Sequence, residues 1–597
     1  MLPAFGLLFV WAALCNKKQS VRFVNGVVNV YLLIIPVVLL LDGLVFQWIG
    51  ERLFSSIFVN GMSEFTRLVP FITSGSSGLM VWIAACSIGF PALVWTLSTW
   101  LSNRIKGRPM PPTMVFAGLV YSLALLFGIF NLLNANPNLS DTMDYRSSAH
   151  PFYVFGILRT RSVGPVAEPE LLRHHPNSAP STIAEVADQE ATNAFLSRER
   201  RLRIVRAVPS HQTDPLPDVV VVVIESLRPE LLTTDVMPNI SQLAEEGIHC
   251  RYHFSGGNAT NHGVFSLVTG LEPIWFGTSQ RFAPGMYRWF KNLGYEVGFF
   301  AGSDDWDDFQ MSGFIRPQLF DQYEVRPRHG ISSDRRAVEL ASAFLSGDRA
   351  VPNRKDTPPP RLAIVYMYGT HATYQSYPSD QIDKPAADNR FPFPYPARMR
   401  DSVWNRYKNS ARTVDRLLKP LLTRDRVIVA LGDHGESFLE DGTVGHGIRI
   451  SRYQNMTPAV LYCPGQFKRV IEQPTFHADV LPTILSYLEA KLSDPEAIDG
   501  LSLTQATEQE LVTRRFCVRN YLGEDYGLIG PWTKDPAKPF AYRFTASIKT
   551  EAAAPLNEID ELGRETNVQN REKQQSEVTR WKSQLYRNSS GTRSDAK

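Results

Sequence analysis

The 597-residue chain lacks a strong net charge and lacks cysteines at paired spacings. Its formal net charge of +3 is close to neutral for this length, which argues against nucleic acid as the main partner. The five cysteines, Cys15, Cys86, Cys250, Cys463 and Cys517, suggest neither a disulfide framework nor a zinc-ribbon site. Any bound metal must therefore be held by oxygen and imidazole ligands.

Long apolar stretches are concentrated in the first 135 residues. Most of them are long enough to cross a hydrocarbon core of about 30 Å as helices. They lie at about 1–15, 27–49, 79–101 and 113–134. We therefore predict an α-helical transmembrane domain of about four spans over residues 1–135. The whole chain is too long for one core and implies about two to four folded units.

Basic residues between these stretches indicate their orientation. Lys17, Lys18 and Arg22 follow the first stretch, and a basic cluster at 104–108 follows the third. The positive-inside rule places both loops in the cytoplasm, so the chain after residue 135 is expected to be extracytoplasmic. The first stretch is short and begins without a charged leader. We expect either that a preceding segment is missing or that this helix is shortened.

Residues 136–215 are predicted to form a juxtamembrane connector. Prolines interrupt it, and arginines between 198 and 206 make its end basic. A run of arginines close to a bilayer could bind anionic headgroups. A solvated helical face explains the same pattern at least as well.

Strand and helix patterns alternate from residue 218 to about residue 490. The strand candidates are 219–224, 296–300, 362–367, 427–431 and 459–462, and the helix candidates are 237–247, 262–269, 284–293, 334–345, 402–423 and 479–490. This alternation predicts an α/β sandwich with a mostly parallel central sheet.

The predicted α/β domain covers residues 216–515. Strand-like pieces at 515–550 and a polar helix at 565–588 suggest that residues 516–590 add a small sheet and a helix to the same domain. Residues 591–597 are expected to form a disordered tail.

Two of the predicted strands end at side chains that can bind a metal ion. An apolar run of five valines and one isoleucine over 219–224 stops at Glu225, and Asp433 and His434 follow the strand at 427–431. Open α/β folds bind their ligands at the carboxyl ends of parallel strands. Two carboxylates and an imidazole are three of the ligands that a divalent ion needs.

A glycine-rich turn over 255–262 leads into a predicted helix and contains Thr260. Such a turn presents backbone N–H groups and the positive end of a helix dipole. A hydroxyl coordinated to a metal ion at this position would ionise more easily and would be held in place for attack. Thr260 is therefore the candidate nucleophile.

Several short motifs follow one another in a fixed order along the chain. They are Ile224-Glu225-Ser226, Gly257-Asn258-Ala259-Thr260, Gly432-Asp433-His434-Gly435-Glu436, Gly445-His446-Gly447, the stretch 477–483 and the stretch 561–567. This ordered set resembles the sulfatase-like branch of the alkaline phosphatase superfamily, and the match looks closest to membrane-anchored lipoteichoic acid synthases and phosphoethanolamine transferases. The membrane half also resembles Gram-negative inner-membrane sulfatase-like lipid regulators, some of which lack the metal ligands and act without catalysis.

The resemblance implies one divalent ion with ligands at Glu225, Thr260, Asp433 and His434. Carboxylates combined with an imidazole suit manganese or zinc better than calcium. The resemblance also implies that His371 and His446 contact the transferred phosphate or protonate the leaving oxygen. A lone histidine is ordinarily structural, but His371 follows the strand 362–367 and so shares the strand-end surface with the metal motif.

Residues beyond the metal motif are assigned more loosely. Trp306 and Arg316 could line a pocket for the lipid headgroup, although Trp306 could equally be a packed surface aromatic residue. The expected partner is a membrane lipid met at the periplasmic face of the inner membrane. The sequence gives no indication of oligomeric state.

Three functions follow as hypotheses. The first is transfer of a phospho-headgroup from a phospholipid through a phosphothreonine intermediate. The second is hydrolysis of a sulfuric ester or a phosphodiester. Sulfate hydrolysis is disfavoured because the Cys/Ser-x-Pro-x-Arg sequence that sulfatases need is absent from the chain. The third is a non-catalytic lipid sensor. The chain contains Glu225, Asp433 and His434, and the presence of all three favours an active enzyme over this sensor.

Overall fold

A computed structural model of the protein describes Leu202 and residues 205–209, 216–278, 285–304, 306, 308–327, 330–347, 358–391, 393–466, 468–522, 525–532, 542–546, 553–563, 565–566 and 571–590. The predicted spans within 1–135, the predicted tail 591–597 and most of the predicted connector 136–215 lie outside these residues. Within the described part of the chain, no helix combines the length and the apolar character needed to cross a membrane.

The strands of the described residues are β1 (Ala207–Pro209), β2 (Val219–Ile224), β3 (Ile248–Phe254), β4 (Glu296–Ala301), β5 (Gln322–Val325), β6 (Arg361–Met367), β7 (Val427–Gly432), β8 (Ser437–Phe438), β9 (Val444–Gly445), β10 (Ala459–Tyr462), β11 (Arg469–Phe476), β12 (Ala490–Leu492), β13 (Phe516–Arg519), β14 (Tyr526–Ile529), β15 (Tyr542–Ala546), β16 (Ala553–Ile559) and β17 (Glu565–Thr566). The α-helices are α1 (Pro238–Glu246), α2 (Thr260–Thr269), α3 (Met286–Asn292), α4 (Ile331–Ser346), α5 (Arg400–Leu418), α6 (Arg452–Asn455), α7 (Val480–Tyr487), α8 (Glu508–Thr513) and α9 (Arg571–Ser590).

The central sheet has the strand order β11-β3-β10-β7-β2-β6-β4-β5 among the described residues. Strand β10 runs antiparallel to both of its neighbours, and the other pairings are parallel. The prediction of an α/β fold with a mostly parallel sheet is therefore confirmed. The one antiparallel strand makes the sheet mixed.

Strand β2 lies in the interior of this sheet, and all of its residues are buried. Alternate side chains of a strand project to opposite faces. Val219, Val221 and Val223 pack on one face in a core cluster with side chains of α2, α3 and α7. On the sheet, α4 packs against β4 and β6 and also contacts α5. Strand β2 is thus buried on both faces, which explains a continuous valine run instead of an alternating one.

The C-terminal part forms a separate antiparallel sheet in the order β13-β14-β15-β16-β17. Helix α9 packs against β16, and its Trp581 contacts Phe544 with ring centroids 4.9 Å apart. Strands and a terminal helix occur here as the sequence predicts. The boundary drawn at residue 515 stays a prediction.

Candidate metal centre and active site

Three neighbouring strands of the central sheet end at the same edge. Ile224, the last residue of β2, pairs with Met367 of β6 and with Gly432 of β7. The backbone N–H of Glu225 donates to the Met367 carbonyl at 2.9 Å, and that of Asp433 donates to the Ile224 carbonyl at 3.1 Å. The sheet hydrogen bonds thus continue as far as the two carboxylate residues and bring them side by side.

Thr260 is the first residue of α2, and Ala259 before it has an extended backbone. Gly263, one turn later, lies so close to β7 that a Cβ atom there would collide with the Asp433 carbonyl. The Ser255 hydroxyl donates to the same carbonyl at 2.5 Å. Small residues in this turn therefore let the N-terminus of the helix pack directly against the end of the strand.

The residues predicted as metal ligands converge on one point. Thr260 Oγ1 lies 3.3 Å from Glu225 Oε2 and 3.4 Å from His434 Nε2. His434 Nε2 lies 3.2 Å from Glu225 Oε1 and 3.5 Å from Asp433 Oδ2. Ligands that bind one tetrahedral ion at about 2.1 Å lie about 3.4 Å from one another. These side chains therefore fit a single divalent ion.

Hydrogen bonds fix the orientation of two of these ligands. Asp433 Oδ1 accepts the backbone N–H groups of Ser226 and His434, each at 2.8 Å, which leaves Oδ2 facing the cluster. His434 Nδ1 lies 2.8 Å from the Gly435 carbonyl. Only a protonated nitrogen can bond a carbonyl, so in the neutral ring Nε2 carries the lone pair that a metal requires.

The cluster is buried and strongly attracts positive charge. Burial and the neighbouring Glu225 raise the pKa of Asp433 to about 6. Burial opposes a charged imidazole, but the carboxylates of Asp433 and Glu225 outweigh it and raise the pKa of His434 to about 9. For Glu225, the hydrogen bond to His434 and its charge outweigh burial and lower the pKa. Either a proton on His434 or a cation can supply the charge that these groups demand.

His371 and His446 lie beside the cluster at partly exposed positions. One nitrogen of each lies within 4.8 Å of the other and of a Glu225 carboxylate oxygen. The ring centroid of His446 lies 4.2 Å from that of His434 and 5.7 Å from that of His371. His371 also stacks on Tyr368 at 4.6 Å. The two imidazoles therefore form the accessible side of the site.

Glu436 is a functional candidate to which the sequence analysis assigned no role, although it belongs to the motif at 432–436. Its Oε2 atom lies 2.7 Å from His446 Nδ1, and its Oε1 atom accepts the Tyr374 hydroxyl at 2.7 Å. Burial opposes its charge, but His446 and these hydrogen bonds lower its pKa. An ionised Glu436 holds the proton of His446 on Nδ1 and leaves Nε2 free for exchange.

The two residues assigned to a headgroup pocket lie in different surroundings. Trp306 is only 2% exposed, and its ring packs edge-on against Tyr366 with centroids 4.7 Å apart. Trp306 is therefore packed in the core, and not at the surface as the alternative for this residue supposed. Arg316 is exposed and directly precedes the short 3-10 helix Pro317–Leu319. Contact of Arg316 with a headgroup stays a prediction.

Comparison with known proteins agrees with the motifs. Residues 217–490 match the family model described as Sulfatase. The inner membrane protein YejM of Salmonella typhi is 23% identical over 265 residues, which cover 42% of this chain and 38% of that protein. The matched segment thus spans about two fifths of the length of this relative.

Solved structures are also similar to this chain. One is a protein in the alkaline phosphatase superfamily from Vibrio parahaemolyticus, with a TM-score of 0.45, 16% identity and coverage of 67% of this chain and 96% of that one. Another is the lipoteichoic acid synthase LtaP from Listeria monocytogenes, with a TM-score of 0.41, 14% identity and coverage of 67% and 98%. The family model includes the strands that end at Glu225 and Asp433, so the match to the Sulfatase model covers the part of this chain that carries the candidate site.

Proposed function

We propose that this protein is a membrane-anchored, metal-dependent enzyme that transfers a phospho-headgroup from a phospholipid through a phosphothreonine at Thr260. One observation carries the proposal. The Thr260 hydroxyl lies at the N-terminus of α2, 3.3 Å from Glu225 Oε2 and 3.4 Å from His434 Nε2. A nucleophile in this position is within reach of both the ion and the dipole of the helix.

The ligand set supports manganese or zinc more than calcium. Glu225, Asp433 and Thr260 offer oxygen atoms, whereas His434 offers an imidazole nitrogen. Calcium takes about six to eight oxygen ligands, and imidazole nitrogen suits zinc and other transition metals. When bound, a divalent ion here would neutralise phosphoryl charge and ease ionisation of the hydroxyl beside it.

The reaction proceeds in two displacements. In the first, the Thr260 oxygen forms a bond to phosphorus while the bond to the diacylglycerol oxygen breaks. The Thr260 proton is released to solvent, and the leaving oxygen takes a proton from His446 or His371. In the second, an acceptor hydroxyl or water forms a bond to phosphorus while the bond to Thr260 breaks. The acceptor proton then restores the histidine, and the Thr260 oxygen regains a proton from solvent.

His446 is the better supported of the two proton donors. Its Nδ1 atom is held by Glu436 at 2.7 Å, so the opposite nitrogen is the one that can exchange a proton with substrate. An imidazole oriented by a carboxylate is a common arrangement for general acid–base catalysis. His371 then contacts the phosphoryl oxygens.

A lipid substrate agrees with the membrane setting. Residues 1–135 are predicted to span the membrane, and the relative from Salmonella typhi is an inner membrane protein. A domain tethered to the periplasmic face meets lipid headgroups in its own plane. Substrates that diffuse freely in solution would gain nothing from this anchoring.

The test is mass spectrometry of Thr260. The full-length protein in detergent is loaded with Mn²⁺ or Zn²⁺, exposed to a total lipid extract and quenched in acid. We expect a phospho-headgroup on the Thr260 peptide, and we expect none with a chelator or in Thr260→Ala. Thr269→Ala is the matched control because this threonine, at the other end of α2, donates only to the Phe265 carbonyl.

Two results would contradict the proposal. Turnover of a soluble ester with water as the only acceptor, and no transfer from lipid, would identify a hydrolase. Intact cellular function in both Thr260→Ala and Glu225→Ala, with loss of function when the arginines between 198 and 206 are replaced, would identify a non-catalytic lipid regulator.

A further inference from the structure

We infer that Tyr366 belongs to the metal centre, where its hydroxyl is a positioning group that holds the carboxylates of Glu225 and Asp433 at the separation one ion requires. The inference rests on the proposed function and extends its metal centre beyond the four predicted ligands. The sequence analysis assigned no role to this tyrosine.

The sheet register places Tyr366 beneath the cluster. Tyr366 pairs with Val223 across the parallel strands β6 and β2. Residues two apart on a strand share a face, so Glu225, which follows Val223 by two positions, lies on the same side as Tyr366. The same reasoning places Asp433 on this side, because Leu431 of β7 also pairs with Val223.

The Tyr366 hydroxyl contacts two of the predicted ligands. It hydrogen-bonds with Glu225 Oε2 and lies 2.9 Å from Asp433 Oδ2. The remaining carboxylate oxygens have other partners. Glu225 Oε1 accepts the Ser226 hydroxyl at 2.9 Å, and Asp433 Oδ1 accepts two backbone N–H groups. The hydroxyl therefore lies against the carboxylate oxygens that face the ion position.

The hydroxyl of Tyr366 has a single proton for two carboxylates, and this links its contacts with Glu225 and Asp433 to metal binding. A phenol has one proton, but here its oxygen faces one oxygen of each carboxylate. It can donate to only one at a time, and the other carboxylate then faces its lone pairs. A divalent ion held by the same two oxygens removes this repulsion. The arrangement is thus more favourable with a cation bound, as expected for a group that serves the ion and not the core alone.

Neighbouring aromatic rings hold the tyrosine in place. Trp306 packs edge-on against Tyr366 with an interplanar angle of 88°, and it packs in the same way against Phe299 at 4.9 Å. The indole N–H donates to the Ser303 carbonyl at 3.1 Å. Edge-to-face packing of buried rings restricts their movement. Trp306 therefore supports the metal centre from below through Tyr366.

A second buried tyrosine provides a matched control. Tyr295 is 4% exposed, and its hydroxyl donates to the Pro217 carbonyl at 2.8 Å. Tyr295 lies just before the amino end of β4, and Pro217 lies just before the amino end of β2. This edge of the sheet is opposite to the edge that carries Glu225. Removing either tyrosine hydroxyl deletes one buried hydrogen-bonding group, but only Tyr366 contacts the predicted ligands.

The test measures metal affinity and needs no catalytic assay. Full-length protein in detergent is titrated with Mn²⁺ and with Zn²⁺ in competition with a chromophoric chelator. Tyr366→Phe is expected to weaken binding about 10- to 100-fold, the usual effect of losing a partner of the ligands. Tyr295→Phe is expected to bind as the wild type does. Circular dichroism of each variant in excess chelator confirms folding.

The outcomes separate this inference from the proposed function. If the wild type binds and Tyr366→Phe binds equally well, the inference is overturned and the metal centre stands. If the wild type binds neither ion, the metal centre is overturned and the inference falls with it.

A second measurement does not depend on whether Tyr366→Phe folds. 3-Fluorotyrosine is incorporated at position 366 or at position 295, and the ¹⁹F resonance is followed as Zn²⁺ is added. We expect the resonance at 366 to shift in step with metal binding and the resonance at 295 to stay unchanged. A protein that binds Zn²⁺ with no response at 366 would show Tyr366 to be an ordinary core residue.

Discussion

His446 Nδ1 lies 2.7 Å from Glu436 Oε2, and the other oxygen of the same carboxylate accepts the Tyr374 hydroxyl at 2.7 Å. The pair joins a buried carboxylate to a partly exposed imidazole at the accessible side of the metal cluster. The tyrosine keeps the carboxylate from turning away from the histidine. The orientation of His446 therefore depends on Glu436.

Glu436→Gln should lower kcat for lipid turnover about 10- to 100-fold while leaving KM nearly unchanged, a smaller loss than removing a general acid outright. The amide keeps the shape of the carboxylate but removes the charged acceptor that orients His446 through its Nδ1 atom. Steady-state kinetics with a phospholipid substrate measures both constants. Glu440→Gln is the control, since Glu440 pairs with Arg228 and Arg400 and contacts neither histidine. An equal loss of kcat in both variants would contradict the role of Glu436.

Removal of the metal should lower thermal stability. Without an ion, the buried carboxylates of Glu225 and Asp433 lie close together, and His434 beside them balances only part of their charge. A ligand present at about 100 times its Kd stabilises the folded state by about 2.7 kcal/mol. Differential scanning fluorimetry with and without chelator measures the loss. Mn²⁺ or Zn²⁺ should restore the melting temperature, and full recovery with Ca²⁺ would contradict the preferred ligand chemistry.

Gly263→Ala should reduce both stability and transfer. The new Cβ atom would collide with the Asp433 carbonyl, so the start of α2, with Thr260, must move away from the metal ligands. Overpacking of this kind costs about 1 to 3 kcal/mol. Chemical denaturation and the Thr260 labelling assay measure the two effects. In Gly277→Ala the nearest atom would be Arg519 Nη1 at an ordinary 3.6 Å, so this control should change neither.

The pH dependence of stability should include a contribution from Glu272, which lies beyond the C-terminal end of α2 and directly before the 3-10 helix Pro273–Gly277. This buried carboxylate accepts the Cys517 backbone N–H at 2.9 Å and the Trp581 indole N–H at 2.8 Å. Burial and the neighbouring Asp499 raise its pKa from 4.5 to about 7. The folded chain thus holds the proton more tightly than the unfolded chain. The contribution of Glu272 to the unfolding free energy should be fully present below pH 4.5 and should be lost as pH rises through about 7.

The size of this loss is up to about 3 kcal/mol, because one pKa unit corresponds to about 1.4 kcal/mol. Glu272→Gln keeps an acceptor for both N–H groups but removes the titration. Urea denaturation at a series of pH values should therefore show a flatter profile for the variant. Glu339→Gln, an exposed position on α4, should keep the wild-type profile. An unchanged profile in Glu272→Gln would contradict the assignment.

Sequence patterns located the strands that carry strong local signals. The predicted bounds of β2 and β10 match the structure, because each is a short run of apolar residues buried in the sheet interior. Strands β3 and β11 were not predicted. Strand β3 contains two histidines and an arginine, and β11 contains Pro474 beside an irregularity in its pairing. An edge strand tolerates proline, and β11 lies at the edge of the sheet, but only the assembled sheet reveals this.

The end of α5 was predicted too late for a local reason. The pattern predicts a helix to residue 423, but α5 ends at Leu418 and a 3-10 turn follows over Lys419–Leu421. Pro420 has no N–H to donate and its ring clashes with the preceding turn, so the α-helix cannot continue. The amphipathic pattern continues past Pro420, so the sequence analysis predicted a helix that extends beyond this proline.

The candidate metal ligands were identifiable from sequence alone. Glu225 and Asp433 each follow a run of apolar residues, and Thr260 follows a glycine-rich turn, so side-chain type and position in the chain, together with the family resemblance, proposed them as ligands. Only the tertiary structure decided which other groups touch them. Tyr366 and Glu436 reach the site through strand register, strand face and loop packing, which depend on residues far apart in sequence. A local pattern records what each residue can bind, whereas contacts between distant residues exist only once the sheet has assembled.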